Sequence, residues 1–139
     1  MRSTRELSIL LVEDDQLDVR TVKRAFRENN MTNPLHVASD GVEALQMLRS
    51  GQLAPDNLLL LLDLNLPRMD GLELLRELRA DAHLRRLPVV VLTTSADEND
   101  RVTAFDLNVA GYIIKPVTFA AFVLAMATLG KYWSLVELP

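Results

Sequence analysis

An acidic triplet, a single aspartate, two threonines and a lysine stand directly behind four apolar runs of this 139-residue chain. Glu13, Asp14 and Asp15 follow the run 7–12. Asp63, and then Asn65, follow 58–62. Thr93, Thr94 and Ser95 follow 89–92, and Lys115-Pro116 follows 112–114. Carboxylates brought together repel, so one must take a proton or a cation must bind between them. An all-oxygen cluster suits a hard cation, and Mg²⁺ fits because it accepts a few carboxylates and keeps several waters. Beside such a cation Asp63 can act as a nucleophile and become an acyl phosphate. Lys115 would supply a second positive charge, and the Thr93 hydroxyl a hydrogen bond to a phosphoryl oxygen. These types in this pattern point to phosphoryl transfer onto a carboxylate.

Taken singly, each residue has a plainer reading. Glu13-Asp14-Asp15 could cap the helix that follows, since acids favour helix N-termini. Asn65-Leu66-Pro67 and Asp70-Gly71 could be turn chemistry. Thr93 could be an ordinary strand end and Lys115 a surface charge. Asp63 is harder to dismiss, because a charge set against five leucines needs a partner. The joint pattern carries the argument.

Positioning these groups requires an alternating fold. The runs 7–12, 58–62, 89–92 and 112–114 are short, continuous and apolar, as strands buried on both faces are. A weaker strand, 35–38, follows the turn signal Asn33-Pro34. Helical spacing relates Val19, Val22, Ala25 and Phe26 in 16–29, then Val42, Ala44, Leu45 and Leu48 in 41–50, then Leu72, Leu74, Leu75 and Leu78 in 71–80. Val102, Phe105 and Leu107 mark a fourth helix; Phe119, Phe122, Val123, Met126 and Leu129 mark a fifth. Strand and helix repeated five times predict an α/β fold: a doubly wound five-stranded parallel sheet in the flavodoxin-like order 2-1-3-4-5, with helices on both faces. In that order the first and third strands are neighbours, about 4.8 Å apart, and their terminal acids converge. Ligands of such sheets sit at the carboxyl ends of the strands.

Bulk composition narrows the function classes. Hydrophobic residues are 49 % and charged residues 24 %, enough for a core at this length. The net charge of −4 gives no reason to expect a nucleic-acid partner. With no cysteine and only His36 and His83, disulfide frameworks and thiolate or multi-histidine metal sites are excluded. The N-terminus lacks a signal-peptide core, and the uncharged stretch 116–130 is too short to span a bilayer. A cytoplasmic protein without a membrane segment is expected.

The chain resembles the receiver domains of two-component response regulators. The resemblance rests on LLVEDD (10–15), DGVEAL (40–45), DLNLPRMDG (63–71), VVVLTTSA (89–96) and GYIIKP (111–116), which together reach across essentially the whole chain. It implies one receiver domain over 1–139, with 131–139 as a C-terminal extension. It also implies that Asp63 is the phosphoacceptor, that Glu13 and Asp14 position a Mg²⁺ ion, and that Asn65 offers its backbone carbonyl to that ion. Thr93 corresponds to the switch hydroxyl, Tyr112 to the switch aromatic, and Lys115 to the lysine on the phosphoryl oxygens. The first acid is glutamate where many members carry aspartate. Asn65 and Ser95 fall at positions that tune autodephosphorylation in the family. The Lys115-Pro116 bond is expected to be cis.

The resemblance further implies a partner, a sensor histidine kinase. The P-V-V-V-L-T-T-S run and the ending 132–139 are similar to the small regulators paired with bacterial phytochromes, which would make that kinase a light sensor. The protein would then be a switch and not a metabolic enzyme, catalysing only its own phosphorylation and dephosphorylation. No DNA-binding helix pair is seen after Gly130, so output is expected through protein partners or a phosphorelay. From Pro116 to Gly130 no residue is charged, and Trp133, Leu135, Val136 and Leu138 follow. An apolar helix face with an aromatic anchor predicts a homodimer built on the fifth helix and the tail.

Three rival readings use the same residues differently. A phosphorylation-independent scaffold of the same fold should lack site residues, and here all are present. A flavodoxin should offer hydroxyls and amides to a phosphate after the first strand, where Glu13-Asp14-Asp15 would repel it. An aspartyl-phosphate phosphatase would want an acid two residues after Asp63, and Asn65 cannot donate that proton.

Overall fold

A computed structural model describes residues 7–135, with the backbone alone for 134 and 135. Five strands, β1 (Ser8–Val12), β2 (Leu35–Ala38), β3 (Leu58–Leu62), β4 (Val89–Thr93) and β5 (Gly111–Ile114), alternate with five helices. These are α1 (Gln16–Glu28), α2 (Gly41–Arg49), α3 (Gly71–Ala80), α4 (Glu98–Asp106) and α5 (Phe119–Leu135). The strands form one parallel sheet in the order β2-β1-β3-β4-β5. This is the doubly wound arrangement expected.

Period-two alternation explains why the central strands carry no polar face. Leu58, Leu60 and Leu62 of β3 pack to one side with Leu10, Val12, Val89 and Val91, against residues of α2 and α3. Leu59 and Leu61 pack to the other side with Ile9, Leu11, Val90 and Leu92, against α1 and α5. All five leucines of β3 are buried. Register places Val12 beside Leu62, so the residues that follow, Glu13 and Asp63, leave the sheet side by side.

Aspartates start the helices. Asp15, Asp40, Asp70 and Asp97 are the N-caps of α1 to α4, each accepting one or two backbone N–H groups of the first turn. Such a cap stabilises a helix by about 1 kcal/mol. Of the acidic triplet, Asp15 is the cap, while Glu13 is buried at the end of the sheet.

Three expectations are corrected. Val102 and Phe105 of α4 are each 49 % exposed, and Ala104 is the buried residue of that helix. Their spacing is helical, but among the described residues the face they form is left about half open. The Lys115–Pro116 bond is trans, since the described residues contain no cis peptide. Trans is the lower-energy isomer of X-Pro bonds, and the Lys115 N–H bond to the Thr93 carbonyl, 2.8 Å, holds the loop in place. Trp133, read as an interface anchor, instead packs partly buried against the α1–α5 core. Helix α5 runs unbroken into the expected extension as far as Leu135. Val136 and Leu138 lie outside the described residues.

Candidate functional site

Asp63 is the centre of the site, and its carboxylate is met from three directions. It begins the loop after β3, where its own N–H bonds the Val12 carbonyl at 3.1 Å. The Thr93 hydroxyl, from the end of β4, donates to Oδ1 at 2.8 Å. The Asn65 backbone N–H donates to the same oxygen at 3.1 Å. Lys115 Nζ, from the end of β5, lies 3.2 Å from Oδ2. Asp63 is 6 % exposed and Thr93 0 %. An unpaired carboxylate at that depth would cost several kcal/mol, and these donors offset that cost.

Glu13 lies deeper still, at 2 % exposure. Its Oε1 accepts from Lys115 Nζ at 2.5 Å and its Oε2 from the Asp15 N–H at 3.2 Å. Burial pushes its carboxyl up to about 7, and the neighbouring Asp63 charge adds to the rise, against the lowering effect of Lys115. Burial pulls Lys115 down, but hydrogen bonds to Asp18 and Glu13 and the charges of Glu13 and Asp63 win and hold the ammonium above its usual range. Asp14 is the exposed member of the acidic set.

One oxygen from each of Glu13, Asp14 and Asp63 lies within 4.8 Å of the others. The donor set is all carboxylate, spans buried to exposed, and contains no nitrogen or sulfur. That composition fits a hard divalent cation held with some of its own waters. A further cation would also relieve a site where three carboxylates, Glu13, Asp18 and Asp63, share one lysine and Asp14 adds a fourth negative charge beside them.

Tyr112, expected as the switch aromatic, is half-buried, and its hydroxyl donates to the Ser95 carbonyl at 2.9 Å. Ser95 in turn donates its N–H to Thr93 Oγ1 at 3.3 Å. The Tyr112 ring lies 6.4 Å from that of Phe105 on α4. The structure therefore brings together Glu13, Asp14, Asp63, Asn65, Thr93 and Lys115 and connects Tyr112 to them through Ser95. Asp18 was not anticipated. It sits in the first turn of α1 and accepts from Lys115 Nζ at 2.7 Å. An acid there reads as ordinary helix-dipole chemistry, so only its distance in space from Lys115 marks it.

Comparison with known proteins agrees with this geometry. The response regulator receiver domain family model matches residues 9–127. Response regulator Rcp1 of Synechocystis sp. is 40 % identical over 110 residues, covering 77 % of this chain and 75 % of that protein. The crystal structure of the phosphorylated cyanobacterial phytochrome response regulator RcpA superposes with a TM-score of 0.88 at 35 % identity, over 97 % of this chain and 99 % of that one. The Mn²⁺-bound form of Rcp1 superposes with a TM-score of 0.82 at 36 % identity, over 95 % and 98 %. With the strand order, the acidic pocket and the matched family model all in accord, the chain belongs to the response regulator receiver domain family.

Proposed function

We propose that Asp63 is the phosphoacceptor of this receiver domain and that its donor is the phosphohistidine of a sensor histidine kinase. The observation that carries the reading is the convergence of Thr93 Oγ1, the Asn65 N–H and Lys115 Nζ on the Asp63 carboxylate. In the transfer an Asp63 carboxylate oxygen bonds to phosphorus and the phosphorus–nitrogen bond of the donor breaks. The released imidazole takes up a proton, and an acyl phosphate remains. Thr93 and Lys115 stand where they can hydrogen-bond the phosphoryl oxygens, and such preorganised donors are the main source of rate in this chemistry. Glu13, Asp14 and Asp63, with the Asn65 carbonyl, would hold Mg²⁺, which supplies positive charge against the transferring group.

The domain acts as a switch, with phosphorylation biasing Thr93, Tyr112 and the surface of α4 and β5 toward one arrangement. The names of Rcp1 and RcpA support a phytochrome as the kinase. The absence, among the described residues, of a helix able to cross a membrane accords with a cytoplasmic site of action. A second copy of the chain is the expected partner for α5. Leu124 and Tyr132 stand 68 % and 54 % exposed on that helix, with Val117 fully exposed just before it. A molar mass that stays monomeric at every concentration in light scattering would refute the homodimer.

Intact mass after incubation with acetyl phosphate tests the main reading. One phosphoryl group is expected in the wild type with Mg²⁺, and none without Mg²⁺ or in Asp63→Asn. A wild type that gains nothing from acetyl phosphate or a cognate kinase would favour the phosphorylation-independent scaffold.

A further inference from the structure

The Lys115 ammonium has three hydrogens and meets three carboxylates, each from a different element: Glu13 after β1, Asp63 after β3 and Asp18 on α1. Lys115 itself follows β5, which is separated from β1 by β3 and β4. Its side chain must reach across the strand ends, and a lysine stem carries about 2 kcal/mol of rotamer entropy against any one extended geometry. Something must hold its tip.

Glu13 and Asp63 hold it now, but both have other work under the phosphoacceptor reading. Their oxygens belong to the set that fits a cation, and Asp63 becomes the acyl phosphate. Asp18 lies outside that set. Its helix start is fixed by the Asp15 cap, by the Val19 N–H bond to the Asp15 carbonyl at 3.0 Å, and by burial of Val19 and Val22 in the core. We propose that Asp18 is a positioning residue for Lys115. It keeps hold of the ammonium while Glu13 and Asp63 turn to other partners, so that the remaining N–H groups face the phosphoryl oxygens. The inference rests on the phosphoacceptor reading and deepens it.

The sign of the effect separates this role from simple charge. Asp18 adds a negative charge to a site that must admit an anionic donor. If charge alone mattered, removing it would help the donor bind and speed transfer. Loss of positioning slows the chemical step instead, since small misplacements of a catalytic group cost about tenfold to a hundredfold.

The experiment follows phosphorylation by acetyl phosphate with Mg²⁺ over a range of donor concentrations, in the wild type, Asp18→Asn and Asp18→Glu. For Asp18→Asn the maximal rate should fall about tenfold or more while the half-saturating donor concentration stays within about twofold. Asp18→Glu should recover part of the rate. In metal-free protein, the slowly exchanging ¹⁵N ammonium signal expected of Lys115 should broaden in Asp18→Asn and persist in Asp18→Glu. An unchanged or faster maximal rate, or an unaltered ammonium signal, overturns the proposal. A wild type that takes no phosphoryl group fails the phosphoacceptor reading instead, and the metal-free ammonium signal then still decides the tether.

Discussion

Gly71, the first residue of α3, lies so close under Asp63 that a Cβ on it would stand 2.6 Å from the Asp63 carbonyl oxygen and 2.6 Å from Leu64 Cα. Both are backbone atoms, so no side chain can swing aside. The contact is drawn tighter by the Gly71 N–H bond to the Leu64 carbonyl, 2.9 Å. Gly71→Ala must therefore displace the start of the loop that carries Asp63. We expect a loss of about 1–3 kcal/mol in urea unfolding, and a fall of about tenfold or more in the rate of labelling by acetyl phosphate. Gly111→Ala is the control, because its Cβ would stay 3.8 Å from Val90. Equal labelling rates in the two variants would show that the Gly71 contact does not set the position of Asp63.

Asp40 and Arg68 tie the start of α2 to the same loop. Asp40 is 3 % exposed, caps α2 through the Glu43 N–H, and pairs with the Arg68 guanidinium. The Glu43 N–H bond, helped by Arg68 and opposed by burial, holds its carboxyl below the usual 3.8. A folded-state value below the unfolded one means that the unfolded chain binds more protons in that window. The stabilisation is therefore fully present above about pH 4 and is lost as pH falls through the lowered folded value. Asp40→Asn should cost about 1–3 kcal/mol at pH 7, and the gap to wild type should narrow as pH falls through the lowered folded value. A gap independent of pH in urea unfolding would mean that the charge of Asp40 is not what stabilises the cap.

Arg79 holds the far end of α4. Its guanidinium donates to four carbonyls: Leu107 at 2.7 Å, Leu87 at 2.8 Å, Asn108 at 3.0 Å and Arg85 at 3.1 Å. Leu107 is the C-cap of α4, a helix whose buried contribution is Ala104. With so little apolar anchorage, the clasp supplies much of what fixes that helix. Arg79→Met keeps the stem and removes the donors. Amide hydrogen exchange over 98–108 should then quicken at least tenfold relative to α3, and Arg79→Lys should not restore it, because an ammonium cannot fork as a guanidinium does. Exchange that rises equally in α3 and α4 would point to a global loss of stability in place of a local clasp.

The legible parts of this molecule were those governed by period and spacing. The apolar runs placed the strands, down to Leu35–Ala38, and strand order then brought Glu13 beside Asp63 without further assumption. The parts that escaped depend on what lies across space. Val102 and Phe105 have the spacing of a buried face, and spacing does not say whether anything covers it. Trp133 sits where an exposed anchor could, yet packs inward. The Asp40–Arg68 pair forms around a left-handed residue, Arg68 at φ 61°, a conformation that residue type does not announce. Asp18 carries no motif, since an acid in a first helical turn is ordinary.

Thr93 joins Asp63 to Tyr112 through bonds that are all on one path. Its hydroxyl donates to Asp63 Oδ1, its oxygen accepts from the Ser95 N–H, and the Ser95 carbonyl accepts from Tyr112. A hydroxyl has one hydrogen to give. Under the proposed function, an acyl phosphate on Asp63 would offer that hydrogen a phosphoryl oxygen as a new acceptor, and Ser95 and Tyr112 would be drawn with it. Thr93→Val preserves shape at this fully buried position and removes only the hydroxyl, at a cost of about 1–3 kcal/mol. The variant should still accept a phosphoryl group on Asp63. Its Tyr112 ring signal, read by NMR with ¹³C-labelled tyrosine, should no longer shift on phosphorylation, whereas the wild-type signal should. Equal shifts in both proteins would show that the coupling from Asp63 to Tyr112 bypasses Thr93, leaving the backbone of the loop after β4 as the route.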